Sequence, residues 1–298
     1  MGVFVPSYYL SFACTADRCR HTCCKGWEID IDADTYAEYK KVPGPFGKRL
    51  SAGIFEDMDG AHFILDDEER CPFLNHQNLC DIILELGKDS LCQICADHPR
   101  FRNFFDSRTE IGLGIACESA CNLILGYDKK PEMICIEEDK IYAEEEEKAF
   151  FALREEVLDS IFEDIPVKDC MKKLAEKFSI SLSEPGCYVD LYNSLENLHP
   201  EWKIKIRKLS KSKTNSIEND MQVRQLLAYF VFRHLADCFF ADRLRTGIAF
   251  SVHATQIILA LSQDKADFPE TARQYSEEIE YSLDNMETIL SFLEKEIV

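Results

Sequence analysis

MQVRQLLAYFVFRHLADCFFA (residues 221–241) is apolar around much of its helical circumference. A helix without a solvated stripe belongs at the centre of a packed body, so this stretch predicts a buried central helix. Residues 247–263 predict a second. Working outward, Phe150, Leu153, Val157 and Ile161 recur at three- and four-residue spacing, as amphipathic helices require. Pro166 opens another such run, with Val167, Cys170, Met171, Leu174 and Phe178 on one face. Pro185-Gly186 breaks the chain before Tyr188, Leu191, Tyr192 and Leu195. Ile279, Leu283, Met286, Leu290 and Leu293 form a last stripe. The polar stretch KLSKSKTNSIEND (residues 208–220) predicts a loop. Residues 136–298 therefore read as an all-α domain.

Residues 1–135 have a different character. Trp27, Ile29 and Ile31 alternate with Glu28, Asp30 and Asp32, a short strand signature. Asp32 or Asp34 then caps a helix through Tyr36 and Tyr39, which stops before Pro43-Gly44-Pro45. Residues 62–65 suggest a second strand, NHQN (residues 75–78) a turn, and residues 79–86 and 91–95 short helices. Phe101 to Ile115 suggests a hairpin and Cys117 to Leu125 a helix. The fold class expected is mostly α: a loop-rich, cysteine metal-binding N-terminal module with short strands, then a helical half packed against it.

The formal net charge of −20 opposes general phosphate-backbone binding, which draws its affinity from Lys and Arg. The basic cluster Lys203, Lys205, Arg207, Lys208, Lys211 and Lys213 beside Trp202 is too small to reverse that expectation. The acidic run at 137–148 reads as the hydrated start of a helix. No apolar run approaches the roughly 20 residues of a membrane span, and MGVFVPSYYL has no signal-peptide pattern. The expectation is a cytoplasmic protein with no nucleic-acid or membrane partner.

Ten of the 14 cysteines lie between Cys14 and Cys121. In a reducing compartment such clustering points to metal binding before disulfides. The order is Cys14-x4-Cys19-x3-Cys23-Cys24, then Cys71-x8-Cys80, Cys92, Cys95, Cys117 and Cys121. Thiolates are soft, charged donors, and both zinc and iron–sulfur clusters commonly take four of them. The spacing leaves zinc and iron–sulfur both open, along with the choice between one centre and two. Adjacent Cys23 and Cys24 face opposite ways in extended backbone, so either a turn redirects one or only one binds. His21 and His76 are possible substitute ligands. Cys92-Gln93-Ile94-Cys95 lacks the βαβ surroundings of a thioredoxin-like dithiol. Cys135, Cys170, Cys187 and Cys238 read as small buried hydrophobes.

The segments YLSFAC (residues 9–14), CRHTCCKGWEIDID (19–32), CPFLNHQNLCDI (71–82), LCQICADHPR (91–100) and IACESACNLIL (115–125) carry a family resemblance. In this order they resemble the flagellin lysine N-methylase family, which is related to a broader family of zinc- or iron-chelating cysteine-rich domains. The resemblance implies a methyltransferase that uses S-adenosylmethionine to methylate lysine ε-amines of flagellin. It also implies an iron–sulfur cluster (4Fe-4S) held by cysteines, with ligand positions falling on Cys14, Cys19, Cys23, Cys24, Cys71, Cys80, Cys95 and Cys117. Cys92 and Cys121 fall outside that set and read as packing residues. His98 and Glu118 depart from the family pattern, which tends to have Tyr and Pro there.

A lysine methylase must deprotonate the ammonium and align its lone pair with the sulfonium methyl. Tyr9, Asp30 and Asp32 lie beside the cysteines in sequence and are the candidate orienters or bases. The plainer reading of the two aspartates is a solvated strand residue and a helix cap. Arg100 is the candidate for the carboxylate of S-adenosylmethionine. Ile111-Gly112-Leu113-Gly114-Ile115 is too weak for a Rossmann glycine turn, and no βαβ alternation accompanies it. The alternative function is a zinc-binding protein-interaction module without catalysis; a thiol redox sensor is a third.

Overall fold

The computed structural model describes residues 2–58, 60–139, 142–209 and 220–297. The chain opens with strand β1 (Gly2–Pro6), followed by β2 (Asp30–Ile31), α1 (Ala33–Tyr39), α2 (Gly44–Ala52), β3 (Ile54–Glu56) and β4 (Ala61–Phe63). Next come α3 (Asp81–Leu86), α4 (Gln93–Asp97), β5 (Arg100–Phe104), β6 (Arg108–Leu113), α5 (Glu118–Leu125) and β7 (Met133–Glu137). The rest is helical: α6 (Glu145–Ile161), α7 (Val167–Lys177), α8 (Val189–Ser194), α9 (Pro200–Leu209), α10 (Asp220–Phe240), α11 (Leu244–Leu261), α12 (Phe268–Tyr275) and α13 (Leu283–Glu294). The chain is broadly mostly α.

It divides into two compact units: Ala13–Arg100, and Met1–Phe12 together with Phe101–Val298. The sequence reading drew its boundary at 135/136 instead. The reason for the difference is strand pairing that sequence periodicity does not reveal. β1 lies between β6 and β7, parallel to the first (Gly2 opposite Arg108) and antiparallel to the second (Phe4 opposite Cys135). The order β5-β6-β1-β7 thus binds residues 101–137 and the N-terminal strand into the helical unit. β1 and β7 were not expected as strands.

In the larger unit, α10 and α11 are the buried pair that their all-round apolarity predicts; Leu226, Leu227, Phe230, Ile248 and Phe250 are fully enclosed. By length and composition α11 would qualify to cross a membrane, yet 83% of that stretch is buried within the protein. A π-helical turn, Ser276–Glu280, joins α12 to the approach of α13 and carries Ile279 into the core. Cys170 and Cys238 pack in this core as expected. Cys135 and Cys187 do not: both are exposed, the first on strand β7 and the second in a 3-10 turn. Trp202 is buried and Lys205 bonds to Thr271 and Gln274 (2.7 and 2.9 Å), so the supposed basic patch is partly turned inward. Lys211, Lys213 and most of the loop expected at 208–220 lie outside the described residues.

The smaller unit has one small core, in which Ile29, Ile31, Tyr39, Leu50, Phe63, Phe73 and Ile82 meet the buried Cys71 and Cys92. The alternation at 27–32 puts Ile29 and Ile31 inward and Asp30 outward, and β2 pairs with β4 as the central strand of a three-stranded sheet. The turn at Asn75–Asn78 closes through Asn78 N–H to Asn75 C=O (3.0 Å). Its left-handed Asn78 (φ 57°) suits a side chain that adopts that conformation more readily than most.

Candidate functional site

Within Ala13–Arg100, five thiols come close enough to influence one another's ionisation: Cys24, Cys71, Cys80, Cys92 and Cys95. Local structure explains how. Cys24 and Cys71 are joined by the Cys71 N–H to Cys24 C=O bond (2.8 Å), next to a bridge between Lys25 and Arg70. Cys80 precedes α3 and bridges to Leu74, so the Cys71–Cys80 loop folds back on itself. Cys92 sits just before α4 and Cys95 lies one turn into it. Tyr39 packs beside Cys80, Cys92 and Cys95, and its hydroxyl donates to the Ser90 carbonyl at 2.7 Å.

Cys23 and Cys24 occupy a turn, and the two thiols are hydrogen-bonded. The backbone there is a turn and not an extended strand. That bond from Cys23 brings Cys24 down to about 7 despite opposing burial, with Thr22 and Arg70 assisting. The Cys92–Cys95 pair behaves likewise: their shared hydrogen bond lowers Cys92 and raises Cys95. Cys71 is pushed up to about 12, mostly by burial and further by the neighbouring thiols. Burial also raises Cys80. Several sulfurs in one apolar interior disfavour joint ionisation, a cost that a bound cation relieves.

The donor chemistry suits a soft metal. Their spacing is less committed: among the described residues, no three His, Cys, Asp or Glu side chains form a ready metal site. Cys92, which the sequence reading set aside as packing, is buried inside the thiol group. Its C-x2-C spacing to Cys95 was the available signal. Cys14 is exposed, its sulfur accepting from Ala16 N–H (3.4 Å), and half-buried Cys19 donates to the His21 carbonyl (3.3 Å). Cys117 belongs to the larger unit, where it precedes α5 and packs on that unit's core. Cys121 is fully buried there, its thiol donating to Pro269 C=O (3.4 Å). Trp27 packs on the thiol-bearing core, with its indole N–H donating to Cys23 C=O (2.8 Å). His76 is exposed.

The other candidates separate. Asp32 is the N-cap of α1: one carboxylate oxygen accepts from Thr35 N–H (2.9 Å) and the other from Gln93 N–H (2.8 Å). Partial burial would raise its pKa, but these N–H bonds together hold it below the ordinary value. Asp30 is exposed on β2. Arg100 is half-buried and donates to Ala96 C=O (3.3 Å). Tyr9 belongs to the larger unit, in a 3-10 turn, half-buried against its core. Gly112 is explained by packing: a Cβ there would meet Phe101 at 2.2 Å and Phe232 at 2.7 Å, so ring contact requires the glycine.

The larger unit also holds a buried ionic group that sequence reading missed. Glu280, at the end of the π-helical turn, meets Tyr229 Oη (3.0 Å), His234 Nε2 (2.5 Å) and Arg233 Nε (3.2 Å). Burial opposes its ionisation, yet Arg233 and His234 outweigh this and hold the carboxyl down at about 2. No local sequence pattern marks it, because the partners lie 46 to 51 residues away.

No protein-family profile matches the chain, and no solved structure does. Curated relatives exist. Over 183 residues the chain is 23% identical to a "Lysine-N-methylase" of Salmonella typhimurium and to one of Salmonella choleraesuis. The match takes in 59% of this chain and 41% of each relative, so the chain spans about two-fifths of their length. Over 144 residues it is 24% identical to "Flagellar biosynthetic protein FliU" of Salmonella muenchen, covering 46% of this chain and 83% of that protein. These relatives bear out the resemblance to the flagellin lysine N-methylase family that the cysteine segments carry.

Proposed function

We propose that this protein is an S-adenosylmethionine-dependent protein-lysine N-methyltransferase with a flagellar protein, flagellin, as substrate and a metal centre held by the thiols of Ala13–Arg100. The observation that carries this reading is the likeness to the curated lysine-N-methylases. The gathering of Cys24, Cys71, Cys80, Cys92 and Cys95 in one small core supports the metal centre. These five thiols are the ligand pool, with Cys14, Cys19 and Cys23 the remaining sequence-predicted donors in the same unit. An iron–sulfur cluster held by these thiols would supply a redox-active cross-link between segments distant in sequence. The chain's own residues prepare that site. Cys71 and Cys92 are buried beside Phe73 and Ile82, and half-buried Cys24, Cys80 and Cys95 pack against that core.

For methyl transfer, the lysine ε-ammonium loses its proton and its lone pair attacks the sulfonium methyl, releasing the thioether. Asp30 is the better placed of the two aspartates to take that proton, because the Asp32 carboxylate is occupied by backbone N–H groups. Arg100 is the proposed partner for the donor's carboxylate.

Anaerobic purification with iron, sulfide and zinc analysis, then incubation with methyl-labelled S-adenosylmethionine and flagellin, tests the reading. Iron and sulfide bound in constant proportion, lost in Cys71→Ala and Cys80→Ala, together with label on lysine, are expected. Stoichiometric zinc and unlabelled flagellin would replace the enzyme with a zinc-binding interaction module.

A further inference from the structure

Arg49, in the last turn of α2, reaches both ends of the Cys71–Cys80 loop. Its Nη2 donates to the carbonyl of Pro72, the residue after Cys71, at 2.7 Å. Its Nη1 donates to Oδ2 of Asp81, the residue after Cys80, at 2.6 Å. The guanidinium lies 6.0 and 5.3 Å from the ring centroids of Phe46 and Phe73, and Phe73 is fully buried in the core that holds Cys71. The other carboxylate oxygen of Asp81 accepts from Asn75 Nδ2 (2.8 Å). Asn75 Oδ1 in turn accepts from the N–H groups of Gln77 (2.9 Å) and Leu79 (3.1 Å). One cation thus ties the start of the loop, its turn and its end.

Folding of the loop does not depend on that tie. The backbone closes on itself through Leu74 N–H to Cys71 C=O (3.0 Å), Asn75 N–H to Leu79 C=O (2.9 Å) and Asp81 N–H to Phe73 C=O (2.8 Å). Leu74 and Cys80 add a bridge. The Arg49 side chain is 44% exposed, and ion pairs so placed are worth only about 0–1 kcal/mol. What the guanidinium adds is geometry. Its planar fork holds two acceptors at a set separation, which the single rotating ammonium of lysine does not do. Metal ligands need such control, since donor distances must hold to within about 0.2 Å.

We propose that Arg49 is a positioning residue for the metal centre: its fork fixes the spacing of the Cys71 and Cys80 backbones, and so the approach of both sulfurs to one ion or cluster. The proposal rests on the metal centre proposed above, and requires neither the methyl donor nor flagellin.

The test uses the full chain, purified anaerobically with the metal it carries. Release is timed with bathophenanthroline disulfonate for iron and pyridylazoresorcinol for zinc. Residues that hold ligands in place commonly account for about 10–100-fold in metal affinity, so Arg49→Met should release its metal faster by a factor of that order. Arg49→Lys keeps a charge opposite Asp81 but loses the fork, and should release nearly as fast. Tyr36→Phe is the control, because it deletes another side-chain bond of the same unit, Tyr36 Oη to Glu56 (2.9 Å), away from the loop. Its release should match that of the unaltered chain. Release from both Arg49 variants at the unaltered rate overturns the proposal and leaves the metal centre standing. So does an equal acceleration in all three variants, which would make Arg49 one structural bond among others, or full retention in Arg49→Lys, which would make charge sufficient. An unaltered chain that carries neither iron nor zinc removes the centre and this proposal together. If Arg49→Met fails to fold, Arg49→Lys against Tyr36→Phe decides the matter.

Discussion

The two compact units solve the problem of burial in different ways. In the larger one, α10 and α11 enclose Leu226, Leu227, Phe230, Ile248 and Phe250, and side chains from most of the other helices close over them. In Ala13–Arg100, a few aliphatic and aromatic residues are joined in the core by Cys71 and Cys92, with Cys24, Cys80 and Cys95 packed against them. With so small an apolar core, this unit has room for a group bound at its thiols to contribute to folding. On the proposed reading, stability in one unit comes from apolar area, and in the other also from a metal held by the sulfurs.

The sharpest way to break that contrast is to remove the metal. With the proposed centre bound, chelation should abolish hydrogen-exchange protection in α1, α3 and β4 and leave α10 and α11 protected, because ligand binding and folding of such modules are one event. Equal loss in both units, or no loss in either, would erase the distinction. Next in size is Phe230→Ala, deep in the larger unit, where ring removal should cost about 3–5 kcal/mol in denaturant unfolding. Metal content should not change.

A pH effect separates the units again. His253 is fully buried against Tyr188 and Tyr192, and burial lowers its pKa to about 3. It is therefore neutral when folded and charged when unfolded at mildly acid pH. A lowered histidine pKa makes the unfolded chain bind the extra proton, so stability falls as pH drops from about 6.5 toward 3. The slope from this one group is about 1.4 kcal/mol per pH unit. His253→Asn should remove that share of the acid sensitivity of the larger unit, measured as the difference between the two urea-midpoint profiles.

Legibility in the sequence followed the range of the interaction. The helices at 145–161, 167–177, 220–240 and 244–261 were readable because their periodicity is local. Asp32 as a cap and the turn at Asn75 were readable for the same reason. β1 and β7 were not, since a five-residue strand shows no period without its neighbours, and missing them misplaced the unit boundary. The cysteine clustering was legible as a count. Grouping was legible in part: Cys24, Cys71, Cys80 and Cys95, all in the expected set, lie near one another, Cys92 joins them, and Cys135 and Cys187 face solvent. The Arg49 fork and the Glu280 group depend on residues far apart in the chain, where no spacing rule reaches.

The smallest effect is the most discriminating within the smaller unit. Asp32 caps α1 and also ties α4 to it through Gln93 N–H, so Asp32→Ala should lose both bonds and about 1 kcal/mol. Asn keeps a single acceptor oxygen, so Asp32→Asn should restore the cap bond from Thr35 N–H but not the tie to Gln93 N–H, recovering part of that loss in a thermal melt. The same substitution removes any ability to accept a proton. If Asp32 serves only as a cap, lysine labelling by Asp32→Asn will match the unaltered protein, while Asp30→Asn, on the exposed side of β2, lowers it. Loss of labelling in a stable Asp32→Asn protein would move the proton-accepting role to Asp32, and the two backbone N–H groups would then be what keeps that base ionised.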